Sequence, residues 1–309
     1  MDADYDILIL GAGPAGLTAG IYAARARRSV LILDTATVGG QTVLTDKVTN
    51  YPGMAETSGR ALSQTMAQQA RSFGCRVTPF ARLSAVDLAS AVKSVTYKNG
   101  DRVTARAVIV ASGGVPRQLG VDNEDRFVGR GISFCATCDG EFFTDRPIAV
   151  VGGGNSALEE AVSLSQYASR ITVIHEFDHF QAEPWIIADA RANEKINLLM
   201  NQRVLSFVGD EGLTAVRSRD KSSGDVIDTA VDGCFVFVGY VPNTTLLAGQ
   251  LALSERGEIL TDDALRTSQP GVFAAGDVRQ TRVRQITTAV ADGTVAALSA
   301  LDYLNEAVA

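Results

Sequence analysis

One pattern, which occurs twice, constrains the fold of this chain more than any other feature. Tyr5–Leu10 is a short apolar run that ends directly at Gly11, and an Ala-rich helical stretch follows over residues 14–27. Val30–Leu33 is the next apolar run, and it ends at Asp34. An apolar run, a glycine turn, a helix and a further apolar run predict a β-turn-α-β unit.

The pattern recurs near the middle of the chain. Residues 148–151 are apolar, residues 152–154 are all glycine, a helix is predicted over 156–167, and residues 171–174 form the next apolar run. The chain has 309 residues, which is more than one hydrophobic core usually serves. The sequence therefore predicts an α/β fold with two Rossmann-like dinucleotide-binding domains.

Later elements indicate that the second domain is inserted into the first, in a three-layer ββα architecture. Residues 271–277 predict another strand and turn, and a helix is predicted over 287–304. Residues 243–250 are the expected second crossing. The predicted division places 1–117 and 247–309 in the first domain and 118–246, with both residues of a Cys-x-x-Cys pair, in the second.

The first glycine turn fits the pattern G-x-G-x-x-G. Gly11 permits a tight turn, Gly13 lets a pyrophosphate approach the backbone, and Gly16 lets the helix pack close to the sheet. The N–H groups and the dipole at the helix start favour phosphate. Asp34 lies 18 residues after Gly16, where a carboxylate accepts from ribose hydroxyls. The predicted cofactor-binding residues here are Gly11, Gly13, Pro14, Ala15, Gly16 and Asp34.

The glycine motif by itself does not choose between FAD and NAD. Residues 267–277 resemble the second FAD motif of flavoproteins with two dinucleotide domains, in which a strand ends in Gly-Asp and the Asp holds the ribityl chain. We therefore predict FAD as the cofactor of the first domain. The other positions that resemble flavin contacts of that group are Gly40, Gln41, Asn50, Gly113, Gly276, Asp277, Arg284 and Gln285.

Cys135 and Cys138 are separated by two residues, and Asp139 follows. This spacing lets two sulfurs meet in a small ring and exchange electrons through a mixed disulfide. A carboxylate at Asp139 can act as a general acid or base on a leaving thiolate. A zinc site requires about four ligands, whereas Cys75 and Cys234 are isolated. We therefore predict a redox pair and no metal, with Cys75 and Cys234 as core residues.

The segment around this pair resembles a known active site. Residues 129–140 are similar to the active-site segment of the low-molecular-weight thioredoxin reductases, residues 152–157 follow at that family's spacing, and the resemblance covers essentially the whole chain. It implies a homodimer with one FAD per subunit. It also implies that Cys138 faces the flavin, that Cys135 attacks the disulfide of thioredoxin or a similar protein, and that the inserted domain rotates between them.

The second dinucleotide site departs from that family. NADPH-using members have three arginines that grip the 2′-phosphate, and this chain has Glu176, Phe177 and Gln181 at the three positions. Like charges ~4–6 Å apart cost about 1–3 kcal/mol, so we expect NADPH to bind poorly. The predicted residues of this site are Gly152, Gly154, Asn155, Ser156, Ala157 and Glu176.

The sequence leaves two candidates for the electron donor. In the first hypothesis Glu176 accepts from the adenosine ribose hydroxyls and NADH is the donor. In the second, reduced ferredoxin is the donor, as in relatives of thioredoxin reductase that have lost the arginines, and the pocket is vestigial or holds another dinucleotide such as a second FAD. A related dithiol oxidase, or a flavoprotein with a partner other than thioredoxin, is the alternative activity.

Composition argues against other classes of protein. The net charge is −7 and the 28 basic residues form no dense run, whereas nucleic acid requires a basic face. No stretch reaches ~18 uninterrupted apolar residues, so we expect no membrane span. Residues 1–6 are acidic, unlike the basic and then apolar start of a secretory signal. We therefore expect a cytoplasmic protein.

Overall fold

The computed structural model describes residues 3–45 and 48–306. The ends of the predicted first domain, residues 1–2 and 307–309, lie outside the described residues. The chain forms two compact units, which we call the first unit (Met1–Val115 with Val241–Ala309) and the second unit (Pro116–Tyr240).

The chain contains both helices and strands, and residues 76–116 and 196–242 contain several strands in succession without an intervening α-helix. The helices are α1 (Pro14–Arg25), α2 (Gly59–Ser72), α3 (Glu124–Phe127), α4 (Ala136–Asp139), α5 (Asn155–Leu164), α6 (Pro184–Ala192) and α7 (Ile286–Glu306). Short 3-10 helices cover Gly40–Leu44, Gly140–Phe143, Thr245–Leu247 and Gly276–Val278. The strands are β1 (Tyr5–Leu10), β2 (Val30–Leu33), β3 (Arg76–Thr78), β4 (Leu83–Asp87), β5 (Lys93–Tyr97), β6 (Arg102–Val110), β7 (Gly114–Pro116), β8 (Ile132–Ser133), β9 (Pro147–Val151), β10 (Arg170–Ile174), β11 (Ile196–Leu199), β12 (Gln202–Gly209), β13 (Leu213–Asp220), β14 (Val226–Ala230), β15 (Gly233–Val236), β16 (Tyr240–Pro242) and β17 (Val272–Ala274).

The sheet of the first unit has the order β3-β2-β1-β6-β5-β4, and β17 pairs with β6. The pairs β1–β2, β1–β6, β2–β3 and β6–β17 are parallel, whereas β4 and β5 form an antiparallel extension. Parallel strands end at one edge of a sheet. The residues that follow β1, β2, β6 and β17 are therefore expected at that common edge, where α/β proteins bind ligands.

Packing against both faces of this sheet explains its apolar strands. Alternate residues of a strand point to opposite faces, and in β1 Ile7 and Ile9 belong to the core under α1 and α7 while Leu8 and Leu10 belong to the core on the other face. All four side chains are at most 7% exposed. A strand that is buried on both faces has a continuous apolar sequence, and this is the pattern seen in β1.

The second unit repeats this plan on a smaller scale. Its sheet is entirely parallel with the order β11-β10-β9-β15-β8, and α5 and α6 belong to the core on one face of it. A separate antiparallel sheet, β12-β13-β14, contributes to the core on the other face. The predicted α/β fold with two Rossmann-like units is confirmed.

The chain leaves the first unit at β7 and returns at β16, and these two strands pair with each other. The chain therefore returns to the first unit before residues 243–250, the segment in which the sequence analysis expected the return. Thr245–Leu247 is a 3-10 helix of the first unit, and the Asn243 N–H donates to the Gly113 carbonyl at 2.9 Å. Among the helices of residues 3–45 and 48–306, none combines the length and apolarity that crossing a membrane requires.

We expect Gly293→Ala to destabilise the first unit, although alanine has the higher helix propensity by about 1 kcal/mol. A Cβ at Gly293 in α7 would lie 2.2 Å from the Ala15 carbonyl oxygen and 3.1 Å from the Ala19 nitrogen of α1. Backbone atoms cannot rotate away, so the helices must separate, at a cost of about 1–3 kcal/mol. Denaturant unfolding measures the loss. Leu298→Ala, at a side chain 49% exposed on the same helix, is the control, and equal stability of the two variants would contradict the prediction.

Candidate functional site

The first glycine turn leaves open space in front of α1. Gly11 has φ of 114°, and a Cβ there would lie 2.1 Å from the Ala111 carbonyl oxygen, while a Cβ on Gly16 would lie 1.9 Å from the Gly11 carbonyl oxygen. Gly11 and Gly16 are therefore required for close packing of the backbone around the turn. In contrast, a Cβ on Gly13 would meet no atom within 4 Å, and no side chain caps the helix at this residue. The helix start therefore fits an approaching phosphate group.

Asp34 has a structural partner in this turn. One carboxylate oxygen accepts from the Ala12 N–H at 2.7 Å, and the other accepts from the Ala36 N–H at 2.8 Å. The side chain thus ties the end of β2 to the glycine turn after β1. Each carboxylate oxygen has a second lone pair, so binding of a ribose hydroxyl by Asp34 stays a prediction.

Two further predicted segments lie beside the same helix start. A Cβ on Gly40 would be 3.4 Å from the Cα of Gly13, and the Gly39 N–H donates to the Ala12 carbonyl at 2.8 Å. A Cβ on Gly276 would be 3.0 Å from the Cβ of Ala15. The structure therefore brings the turn after β1, the 3-10 helix that carries Gln41 and the segment that carries Asp277 to one edge of the sheet.

Asp292 of α7 is a residue of this region that the sequence analysis did not identify. It accepts from the Gly276 N–H at 3.0 Å, and it forms a two-point ion pair with Arg279 at 2.7 and 2.8 Å. Its side chain is only 14% exposed. The pair holds the backbone that leads into Asp277. An acidic residue on a largely apolar helix was the only sequence signal.

The remaining predicted positions of the first unit are Asn50, Gly113, Arg284 and Gln285. The Asn50 side-chain amide donates to Gln285 at 3.3 Å. Arg284 forms an ion pair with Glu258, a carboxylate that is 6% exposed. Gly113 has φ of 60° just after β6. These contacts show which side chains support Asn50 and Arg284, and the flavin-binding roles of the four positions stay predictions.

Cys135 and Cys138 are joined by a disulfide bond, with their Cα atoms 5.3 Å apart. Ser133, at the end of β8, links this pair to Asp139, at the end of α4. Its hydroxyl oxygen accepts from the Cys135 N–H at 3.0 Å, and its hydroxyl donates to the Asp139 carboxylate at 2.6 Å. Ser133 was not predicted, although a serine two residues before the first cysteine was visible in the sequence.

The two other cysteines are buried free thiols. Burial raises the pKa of the Cys75 thiol to about 11, and burial, with a smaller effect of the Glu124 charge, raises the pKa of Cys234 as well. Neither thiol is therefore a nucleophile near neutral pH. Within the described ranges, no group of three or more His, Cys, Asp or Glu side chains is arranged to hold a metal ion.

The second glycine turn has the same arrangement as the first. A Cβ on Gly152 would lie 2.4 Å from the Phe237 carbonyl oxygen, whereas the nearest atom to a Cβ on Gly154 is 3.8 Å away. Gly154 precedes α5 with no side-chain cap. Asn155 accepts from the Glu183 N–H at 2.7 Å, Ser156 is exposed and Ala157 is buried. The open helix start again fits a dinucleotide phosphate.

His175 organises the segment that follows β10. Its Nε2–H donates to the His179 carbonyl at 3.0 Å, and its ring stacks on Phe180 with centroids 5.5 Å apart. Burial lowers the pKa of His175 more than the bond to His179 raises it, so the ring is neutral at pH 7. The Gln181 N–H donates to the Gly153 carbonyl at 2.8 Å, which folds the segment back onto the glycine turn. A Cβ at Gly153 would lie 2.3 Å from the His175 ring. This close approach explains why residue 153, the middle of three consecutive glycines, has no side chain.

Comparison with known proteins identifies the family of this chain. The family model for pyridine nucleotide-disulphide oxidoreductases matches residues 5–293. The thioredoxin reductase of Peptoclostridium litorale is 40% identical over 314 residues, covering 99% of both chains. That of Mycolicibacterium smegmatis is 42% identical over 305 residues, covering 98% of this chain and 97% of the relative. The crystal structure of thioredoxin reductase from Streptococcus pyogenes MGAS5005 is 39% identical, covers 98% of both chains and superposes with a TM-score of 0.92. The chain therefore belongs to the pyridine nucleotide-disulphide oxidoreductase family and is an oxidoreductase similar to thioredoxin reductases over nearly its whole length.

Proposed function

We propose that the protein is an FAD-dependent reductase of protein disulfides, with thioredoxin as its substrate. The observation that carries the proposal is the Cys135–Cys138 disulfide, linked through Ser133 to Asp139, in a chain with two open glycine turns. The relatives named thioredoxin reductase support the choice of substrate. We further propose that the enzyme is a cytoplasmic homodimer.

The first unit would hold the cofactor. The helix start at Gly13 would bind the pyrophosphate, and Gly40, Gln41, Gly276 and Asp277 lie at the same edge of the sheet. Asn50, Gly113, Arg284 and Gln285 would contribute further contacts to the cofactor. Bound FAD would supply a two-electron carrier whose reduced form can reduce the disulfide.

The cysteine pair then carries two electrons as two thiols. The Cys135 thiolate attacks one sulfur of the target disulfide, so that a mixed disulfide forms and one target thiolate leaves. The Cys138 thiolate attacks Cys135 Sγ, the mixed disulfide breaks, and the second target thiolate leaves. The target gains two electrons and two protons, and the pair returns to its disulfide. Asp139 would deliver a proton to a leaving thiolate.

Either NADH or reduced ferredoxin would supply the electrons, in preference to NADPH. The charge of Glu176 at the adenosine end of the second glycine turn supports this proposal, because a 2′-phosphate would meet a carboxylate there. NADH would use the second turn directly. If reduced ferredoxin is the donor, the second glycine turn would be vestigial or would bind another dinucleotide.

We expect Asp139→Asn to lower the rate of thioredoxin reduction by about 10²-fold, because an amide cannot deliver the proton. Ser133→Ala should produce a smaller loss of about 10-fold, since it removes one hydrogen bond of roughly 1.5 kcal/mol to a carboxylate that is still present. Stopped-flow kinetics across pH measures both. The pH dependence of the reaction should shift in Ser133→Ala and return toward that of the wild type in Ser133→Thr. An unchanged rate in Asp139→Asn would remove the general-acid role.

Anaerobic titration of the purified protein tests the function and the donor together. Bleaching of the flavin band by NADH or by reduced ferredoxin, followed by thioredoxin reduction, is the expected result. Efficient reduction by NADPH would contradict the donor proposal. A colourless protein that releases no FAD in mass spectrometry would overturn the flavoenzyme proposal.

A further inference from the structure

Glu176 has a cationic partner that lies far away in the sequence. The Lys221 ammonium is 3.7 Å from the Glu176 carboxylate, and it lies 5.2 Å from the centre of the Phe177 ring. The Lys221 N–H donates to the Asn201 carbonyl at 2.8 Å, and the Asn201 N–H donates to the Phe177 carbonyl at 3.1 Å. Backbone hydrogen bonds therefore hold Lys221 beside the segment that follows β10.

Lys221 shares a surface depression with two arginines. Together with Arg203 and Arg219 it lines a surface depression of about 530 Å³, in which Asp122 is the only carboxylate among the lining residues. Arg203 and Arg219 face each other directly in the β12–β13 pairing, an unfavourable arrangement for like charges. Neither arginine makes an ion pair or a side-chain hydrogen bond within the described residues. The depression is therefore cationic, and its residue Lys221 contacts Glu176.

We propose that the Glu176–Lys221 ion pair determines which dinucleotide the second glycine turn accepts. Lys221 holds the Glu176 carboxylate in place to accept from the adenosine ribose hydroxyls. Glu176 in turn engages the Lys221 ammonium, which would otherwise bind a phosphate on the ribose 2′ oxygen. The inference deepens the proposed function, because it rests on dinucleotide binding at this turn.

The Glu176–Lys221 ion pair predicts an effect of substitution that residues 175–181 by themselves do not predict. If residues 175–181 alone determined the choice of dinucleotide, Glu176→Gln would remove the repulsion between the carboxylate and a 2′-phosphate. It would provide no cation to bind that phosphate. With Lys221 in place, the same substitution frees an ammonium group beside Arg203 and Arg219. Both side chains of the pair are about half exposed, at 45% and 43%, so removing either one should leave the fold intact.

Four holoenzymes test the proposal: wild type, Glu176→Gln, Lys221→Met and the double variant. Isothermal titration calorimetry at low salt measures the affinities for NAD⁺ and NADP⁺. We expect the wild type to prefer NAD⁺ and Glu176→Gln to bind NADP⁺ about 10–100-fold more tightly than the wild type, the range for hydrogen bonds to charged groups. The double variant should lose that gain. Lys221→Met alone should bind NAD⁺ about 3–10-fold more weakly, because Glu176 is no longer held.

Arg217→Met is the matched control, since it removes a cation of β13, the strand that ends directly before Lys221, and this cation is already paired with Asp228 at 2.7 Å. It should alter neither affinity, and thermal melting confirms folding of every variant. Equal NADP⁺ affinity of Glu176→Gln and the double variant would show that Lys221 is not the determinant. Absence of binding of both nucleotides to all four proteins at millimolar concentration would overturn the inference. Thioredoxin reduction with reduced ferredoxin would separately decide whether the proposed function survives.

Discussion

Replacement of Cys138 by serine is expected to lower the kcat for protein disulfide reduction by about 10³-fold or more, because a hydroxyl cannot form or resolve the disulfide. Cys138 is bonded to Cys135, so the variant leaves Cys135 as a lone thiol. Reduction of the flavin by the donor should continue in this variant. Rapid-mixing absorbance for the flavin and a coupled thioredoxin assay for the product separate the two half-reactions.

The other cysteines provide matched controls for this experiment. Cys135→Ser should be as inactive as Cys138→Ser, because the pair acts as a unit. Cys75→Ala should retain the wild-type rate, since its thiol is buried, its pKa is raised to about 11 and it donates to the Gly20 carbonyl. Thiol titration before and after reduction should show two additional thiols in the wild type and none in either serine variant. Substantial thioredoxin reduction by Cys138→Ser would rule out the proposed dithiol.

Gly13→Ala is expected to produce a folded protein that has lost most of its FAD, with affinity reduced by about 10–100-fold. The backbone at Gly13, with φ of −76°, is accessible to alanine, and its Cβ would meet no protein atom within 4 Å. The added methyl group would instead occupy the space through which a pyrophosphate approaches the backbone. The ratio of flavin absorbance to protein absorbance, together with fluorescence titration of the apoprotein with FAD, measures the effect.

Gly16→Ala is the contrasting substitution. Its Cβ would lie 1.9 Å from the Gly11 carbonyl oxygen, a backbone atom that cannot move without breaking the turn. We expect a loss of stability of about 3 kcal/mol or more, visible as a lower melting temperature even with excess FAD. Stoichiometric flavin in purified Gly13→Ala would show that the phosphate does not lie where the open helix start indicates.

Features set by neighbouring residues could be predicted from the sequence. The strands β1 and β2 and the glycine turn between them follow from local apolar runs and from glycine's conformational freedom. The spacing of Cys135 and Cys138 likewise allows only a small ring, and the structure closes it with a disulfide. These features require no knowledge of how distant segments meet, which is why the pattern by itself determined the fold class and the position of the redox pair.

The tertiary structure decided the contacts between segments that are far apart in the sequence. Asp292 of α7 holds the Gly276 backbone, which lies 16 residues earlier in the chain. Lys221 reaches Glu176 only through the pairing of β12 with β13 and the backbone bonds of Asn201. Residues 175–181 by themselves do not reveal this cation, because Coulomb interactions depend on distance in space and not on separation along the chain.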